Sequence, residues 1–361
     1  MRTNDIQCSP GQHELDENIR LLAHMESTHS PMVSCYLSLR AGRDNARDYL
    51  LSQKQQIAAR LSGFEQQEFE QAYDSILNNL ETSQYDCKAL AYFSRSFKGG
   101  HFFRVLQLDI LLKNSVTVSA APNILPLMLL RHEYGQYLQA SVSEGAIEIC
   151  ELGLGTSTMR GMANLISTSS EESRLATARH MLERTMRSRP QLDVILVGEQ
   201  SFIHGVYNNL PRLLRRRVIQ LIPRQPGDTD FKILKVGKLT HKRHREYLSG
   251  NQLNEAIKSG HVLEQLTTGV SGSLRALNSY AAGRLYVTAD DLDLNAMCID
   301  AQKDSVLDVI RLAIQQAVPI HFVSSNRIMH QAEGIACLVA DKAVMHRSGF
   351  RPAANSLDMV A

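Results

Sequence analysis

No run in the 361-residue sequence approaches the roughly 20 apolar residues that a membrane-crossing helix needs. The opening residues, Met-Arg-Thr-Asn-Asp-Ile-Gln-Cys, lack the apolar centre of a secretory signal. Six cysteines (Cys8, Cys35, Cys87, Cys150, Cys298, Cys337) form no CxxC pair and meet no histidine at zinc-site spacing. They read as small core residues in a reducing cytoplasm, where the chain is expected to work. No phosphate loop ending in Gly-Lys-Ser/Thr occurs. Gly153-Leu-Gly155 follows a strand, but a dinucleotide fingerprint would need its third glycine at Thr158. The next helix begins only near 170, too late to hold a pyrophosphate on its N-terminus. Gly269-Val-Ser-Gly-Ser273 is no nucleophile elbow, because the closing glycine is Ser273. His180, His204, His241 and His244 show no zincin spacing and read as surface or RNA-facing groups. Asp290 and Asp291 sit in a polar stretch and read as solvated. The chain is expected to hold no metal, cofactor or catalytic group.

What is present is an ordinary globular composition, 43% hydrophobic and 21% charged, long enough for two or three domains. The net charge of +2 conceals an uneven layout. Between Arg174 and Arg245 there are 16 Lys and Arg against 5 Asp and Glu, a net of +11; the remainder carries 23 against 32. Such asymmetry points to one face that meets a polyanion.

Hydrophobic periodicity divides the chain into three α/β domains, at 1–138, 139–241 and 242–361. The first opens with a helix over 14–28 and a strand from Met32, with Val33, Cys35, Leu37 and Leu39 alternating. Helices over 44–62 and 65–82 follow, then a hairpin turning at Lys98-Gly99-Gly100, a strand at 116–119 and a short helix from 122. The second has a strand at 146–152, a long irregular loop over 153–169, a helix over 170–188 and a buried strand at 192–197. Thr168…Glu171 and Ser169…Glu172 have capping-box spacing, and Pro190 stops the helix. Helical pieces are expected at 201–207 and 213–219, and a strand at 231–236. In the third, helices over 251–266, 270–281 and 305–316 alternate with strands at 284–288, 319–324 and 335–340.

A loop of about sixteen residues exceeds what a connection needs, and such loops carry function or disorder; the alternative to a functional probe is that Leu165 and Ile166 tuck it onto its own domain. The basic residues Arg212, Arg215, Arg216 and Arg217, with Lys242, Arg243 and Arg245, supply guanidinium forks and ammonium groups suited to phosphate.

The order of segments resembles the bacterial members of the archaeo-eukaryotic release-factor family, related to Pelota. The resemblance is carried by Met32-Val-Ser-Cys-Tyr-Leu-Ser-Leu, Leu90-Ala-Tyr-Phe-Ser, Pro122-Asn-Ile-Leu-Pro-Leu and Tyr137-Leu-Gln-Ala-Ser-Val-Ser-Glu-Gly-Ala-Ile-Glu-Ile. Gly269-Val-Ser-Gly-Ser-Leu-Arg-Ala-Leu, Val318-Pro-Ile-His-Phe-Val-Ser-Ser and Gly334-Ile-Ala-Cys-Leu-Val continue it. These patterns span nearly the whole chain and are closest in style to the Balon-like ribosome-hibernation factors. The resemblance implies an RNase H-like central domain and a C-terminal domain like ribosomal proteins that bind kinked RNA.

It also implies a 70S ribosome partner, with the first domain toward the decoding centre, through Arg43, Lys98, Gly99 and Gly100. The central loop would face the peptidyl transferase centre, and elongation factor Tu would be the GTPase partner. No Gly-Gly-Gln occurs anywhere, and the codon-reading Asn-Ile-Lys-Ser string is missing too. Met159, Arg160, Met162 and Asn164 stand in the corresponding loop, without a group to direct water. The expected function is therefore a non-catalytic A-site binder that occupies vacant or stalled ribosomes in dormancy or stress. The rival is a peptidyl-tRNA hydrolase or rescue factor with unconventional loop chemistry. A nuclease is a third possibility, though no carboxylate cluster stands at the strand ends. Neither membrane nor DNA is an expected partner.

Overall fold

The computed structural model describes residues 12–61, 63–143, 145–166, 170–258, 266–289 and 305–339. The expectations placed on Thr168, Ser169, Asp290, Asp291, Cys8 and Cys298 lie outside these residues. Three separate β-sheets, each flanked by helices, make this an α/β protein. None of the described helices is long and apolar enough to cross a membrane.

The first unit contains α1 (Gln12–Ala23), β1 (Met32–Ser38), α2 (Arg43–Ala58) and α3 (Gly63–Thr82). It continues with β2 (Ala89–Phe97), β3 (Gly100–Leu108), β4 (Ser115–Ser119) and α4 (Leu125–Glu133). Its sheet has the order β3-β2-β1-β4, every pair antiparallel. Alternation along β1 sends Val33, Cys35 and Leu37 into a core with Phe69, Tyr73 and Ile76 of α3. Met32 and Tyr36 point to the other face, into a core with Leu15, Leu22 and Leu127. That second core also holds Leu277, Leu285, Val309, Ile310 and Phe322 from the far end of the sequence. The first and last units therefore share one apolar interior.

The central unit contains β5 (Tyr137–Val142), β6 (Ala146–Gly153), β7 (Thr156–Asn164), α5 (Glu171–Ser188) and β8 (Asp193–Gly198). After these come α6 (Gln200–Asn209), α7 (Arg212–Arg215) and β9 (Val218–Pro223). Its sheet has the order β7-β6-β5-β8-β9; β5, β6 and β7 run antiparallel, whereas β5, β8 and β9 run parallel. Val194 and Leu196 face a core with Ala178, Leu182, Phe202 and Ile203 of α5 and α6, while Ile195 and Val197 face the opposite side. Ser170 caps α5, accepting from the Ser173 N–H at 3.2 Å. The helix expected over 213–219 stops at Arg215. The apolar run Val218-Ile-Gln-Leu-Ile is instead a strand that extends the sheet beside β8.

Helix α8 (Asp230–Lys258) replaces both the strand expected at 231–236 and the separate helix expected from 251. Its 29 residues span roughly 43 Å. Ile233 packs against the central sheet with Tyr137 and Ile195, and Leu253 packs against the last sheet with Tyr286 and Val323. The boundary expected at 241/242 thus falls inside one continuous helix. The last unit comprises β10 (Leu266–Thr268), α9 (Gly269–Asn278), β11 (Ala282–Thr288), α10 (Ser305–Gln315), β12 (Ile320–Val323), α11 (Arg327–Gln331) and β13 (Ile335–Val339). Its sheet order is β10-β13-β11-β12, with only β11 and β12 parallel.

Candidate nucleic-acid interface

The stretch expected to project as a loop over 153–169 is mostly strand. β6 and β7 form a hairpin closed by Leu154-Gly155, both at positive φ (47° and 76°), as a tight two-residue turn requires. The hairpin end does not reach outward. Leu154 is buried, and a Cβ on Gly155 would stand 2.9 Å from the Asp109 carbonyl oxygen. On the α5 side, a Cβ on Gly161 would meet Met181 Sδ at 3.0 Å, so the helix lies close on this strand. Leu165 is fully buried. The reason is local: small residues at 161 and 163 let the segment lie flat on its own sheet, and the two-residue turn leaves no slack.

The four residues singled out there do not act as a projecting group. Arg160 is the extra residue of a β-bulge, between the pairs Ile149↔Gly161 and Cys150↔Met159. Its Nε donates to Glu151 Oε2 at 2.7 Å, and Arg189 Nε donates to the same oxygen at 3.0 Å. Burial alone would raise the Glu151 carboxyl, but the hydrogen bonds from Arg189 and Arg160 outweigh it and hold it below its usual value. The Asn164 side chain accepts from the Ile166 N–H at 2.9 Å. Met159 and Met162 remain exposed, at 51% and 60%.

The basic residues divide into two groups. Arg217 donates to the carbonyls of Met186, Arg189 and Leu192, fastening the end of α5 to β9. Arg215 donates to the carbonyls of Asn208 and Leu210 and lies over the Tyr207 ring at 5.5 Å. Lys242 is half-buried beside Glu246 (3.8 Å), and Arg245 reaches inward to the His132 carbonyl. Arg217 and Arg215 are spent on the fold, and Lys242 and Arg245 turn toward Glu246 and the His132 carbonyl, against the expectation of a uniform phosphate-binding face. Arg212, Arg216 and Arg243 are exposed, and their side chains make no hydrogen bond or ion pair with another described residue. Arg184, which the sequence places with Arg179, Arg187 and His180 on the solvent face of α5, is in the same state.

His241 is likewise no surface group. It is buried, 3.6 Å from Asp193 and stacked on Tyr137 at 4.9 Å between centroids. Burial lowers its pKa, partly offset by the hydrogen bond to Asp193. In the first unit, Lys98 and Gly99 form the exposed β2–β3 turn, with Gly99 at φ 90°. Arg43 starts α2, just beyond the end of β1 that pairs with Ala89. Nine residues of β2 separate the two ends by about 27 Å, so Arg43 and Lys98-Gly99-Gly100 belong to different ends of the sheet.

The sequence matches no protein-family model, and it matches no curated protein. Solved structures do align with it. Pelota of Archaeoglobus fulgidus is 11% identical, with 90% of this chain and 92% of that chain covered and a TM-score of 0.39. Dom34 of S. cerevisiae, a translation termination-like factor, is 11% identical over 69% of this chain and 80% of its own, at a TM-score of 0.42. An archaeal translation termination factor is 11% identical over 93% and 99%, at 0.30. With every one of these TM-scores below one half, the superpositions assign no role to any residue of this chain.

Proposed function

We propose that this chain is a ribosome-binding factor that occupies the A site of vacant or stalled ribosomes without hydrolysing peptidyl-tRNA. The observation that carries the reading is the set of uncommitted arginines, Arg184, Arg212, Arg216 and Arg243. They lie within a stretch of net charge +11 whose other arginines are largely spent on the fold. Surface guanidinium groups without a carboxylate suit RNA phosphates, which supply most of the affinity for structured RNA. The resemblance in segment order supplies the ribosome as the RNA. The central strand order, three antiparallel strands followed by two parallel ones, supports the RNase H-like reading of that unit. Without Gly-Gly-Gln, the chain lacks the residues by which its resemblant relatives direct water. The exposed Met159 and Met162 offer a flat apolar contact on the sheet edge in place of a projecting tip. The elongation factor Tu contact is part of the same proposal and rests on the resemblance alone.

Co-sedimentation with 70S particles tests the reading. The chain should pellet with ribosomes at low salt. With four phosphate contacts, affinity should fall by about 10²-fold between 50 and 200 mM salt. Failure to pellet at low ionic strength overturns the proposal. Release of peptide from loaded ribosomes by the purified chain would overturn its non-hydrolytic part.

A further inference from the structure

Where α4, the second half of α8 and β12 meet, the surface opens into a cavity of about 340 Å3. Arg131 and His132 of α4, Arg245, Ser249 and Gln252 of α8, and His321 of β12 line it. Arg245 sets its character. Other inward-facing guanidinium groups hold several carbonyls each: Arg217 those of Met186, Arg189 and Leu192, Arg95 those of Glu26 and Ala120. Arg245 donates one hydrogen bond, from Nη1 to the His132 carbonyl at 3.3 Å. It has no carboxylate within 4.0 Å among the described residues, and its remaining N–H groups are not sealed in protein. Gly135 makes room for it, because a Cβ there would stand 2.1 Å from Nη1.

The nearest carboxylate along the helix, Glu246, is already shared by His132 Nε2 (3.0 Å), Ser324 Oγ (3.1 Å) and Lys242 Nζ (3.8 Å). Arg131 adds a second positive charge at the rim, held by Asp16 at 2.6 Å. The lining therefore carries two guanidinium groups and no carboxylate. Burial lowers the pKa of Arg245 and Arg131 lowers it further, against Asp193 and Glu246; burial, then Arg284 and Arg245, lowers that of His321. An anion placed here would relieve that repulsion. The volume lies at the lower end of the range for small-molecule pockets and exceeds what a bare phosphate fills. Phe322 and Met128 supply an apolar wall for the rest of a ligand.

We propose that this cavity binds a small phosphate ester of mononucleotide size, its phosphoryl oxygens accepting from Arg245 and its organic part resting against Phe322. Ser249 and Gln252 are the flanking hydrogen-bonding groups. The site stands apart from ribosome binding and is a property of the free chain.

The test uses the full chain, with adenosine monophosphate, adenosine and inorganic phosphate as probes. Binding is followed by titration calorimetry and by the NMR signals of the Arg245 guanidinium and the His321 ring. The monophosphate should bind at least about tenfold more tightly than adenosine, and should shift both signals. Arg245→Met should abolish that preference. Since this variant removes a buried group and could misfold, Ser249→Phe supplies a second test, filling the cavity from the helix surface and blocking the monophosphate while the fold persists by circular dichroism. Equal affinity for adenosine and its monophosphate, or unchanged binding in folded Ser249→Phe, overturns the assignment. So does displacement of the monophosphate by a short RNA at lower concentration, which would give the cavity to a polymer phosphate.

Discussion

Arg160 and Arg189, twenty-nine positions apart in the chain, donate to one oxygen of Glu151, at 2.7 and 3.0 Å. The first sits in the bulge of β7 and the second closes α5, so the carboxylate ties the edge strand to the helix above it. Glu151 titrates below its usual value when folded. Its contribution is therefore complete above the unfolded carboxylate pKa and is lost as pH falls through the lower folded value. The arginines are about one-third exposed, so screening reduces the contribution to about 1 kcal/mol. Glu151→Gln should show that deficit in urea unfolding at neutral pH. The deficit should vanish in acid; one that persists unchanged there would refute the ionic tie.

A second prediction separates structural from surface arginines. Arg217→Met leaves the carbonyls of Met186, Arg189 and Leu192 without their donor, and should cost about 3 kcal/mol. Arg212→Ala and Arg216→Ala remove exposed groups and should change stability by less than about 0.5 kcal/mol. Ribosome affinity should respond in the opposite sense, with the surface pair weakening it and reducing its salt slope by about one per charge. Equal stability losses in all three variants would erase the distinction.

Gly198 ends β8 where a Cβ would stand 1.9 Å from the Val142 carbonyl oxygen and 3.0 Å from a methyl of Ile203. The obstacle is backbone of the neighbouring parallel strand, which cannot turn aside as a side chain can. Gly198→Ala should therefore cost about 3 kcal/mol or more, by overpacking. Thermal unfolding with a clear drop in Tm is the expected result. A variant as stable as the parent would mean that the two strand ends lie farther apart.

The first sheet and α5 were legible because their apolar positions keep a single period along each element. Helix α8 was not. Ile233, Gly237 and His241 recur every four residues against the central sheet, whereas Leu253 serves the last sheet, about 120° around the helix from His241. Two stripes on one helix blur the amphipathic signal, and Phe231 and Ile233 alone then resemble a strand. The basic face was readable as charge, but which arginines were spent on carbonyls depended on chain ends meeting far from each other in sequence. The cavity around Arg245 needed α4, α8 and β12 together, and no local pattern announces that.

The last prediction concerns the joint between the first and last units. Arg311 of α10 is buried and donates to the Met25 carbonyl and to Ser27 Oγ (3.1 Å), while Gln315 donates to the Ala23 carbonyl at 2.7 Å. Both reach the carbonyls at the end of α1, where the helix leaves its acceptors unpaired and a cation is favoured. Arg311→Leu keeps much of the volume but removes the charge and the donors, so those carbonyls lose their partners in a place closed to water. The expected cost is about 2–4 kcal/mol. Because α1 also packs with Val309 and Ile310 in the shared core, the damage should not stay local. Hydrogen exchange should quicken in α1 and α10 together, while α5 and β8 of the central unit keep their protection. Exchange confined to α10 would show that the two units are held by apolar contact alone, with the arginine a passenger.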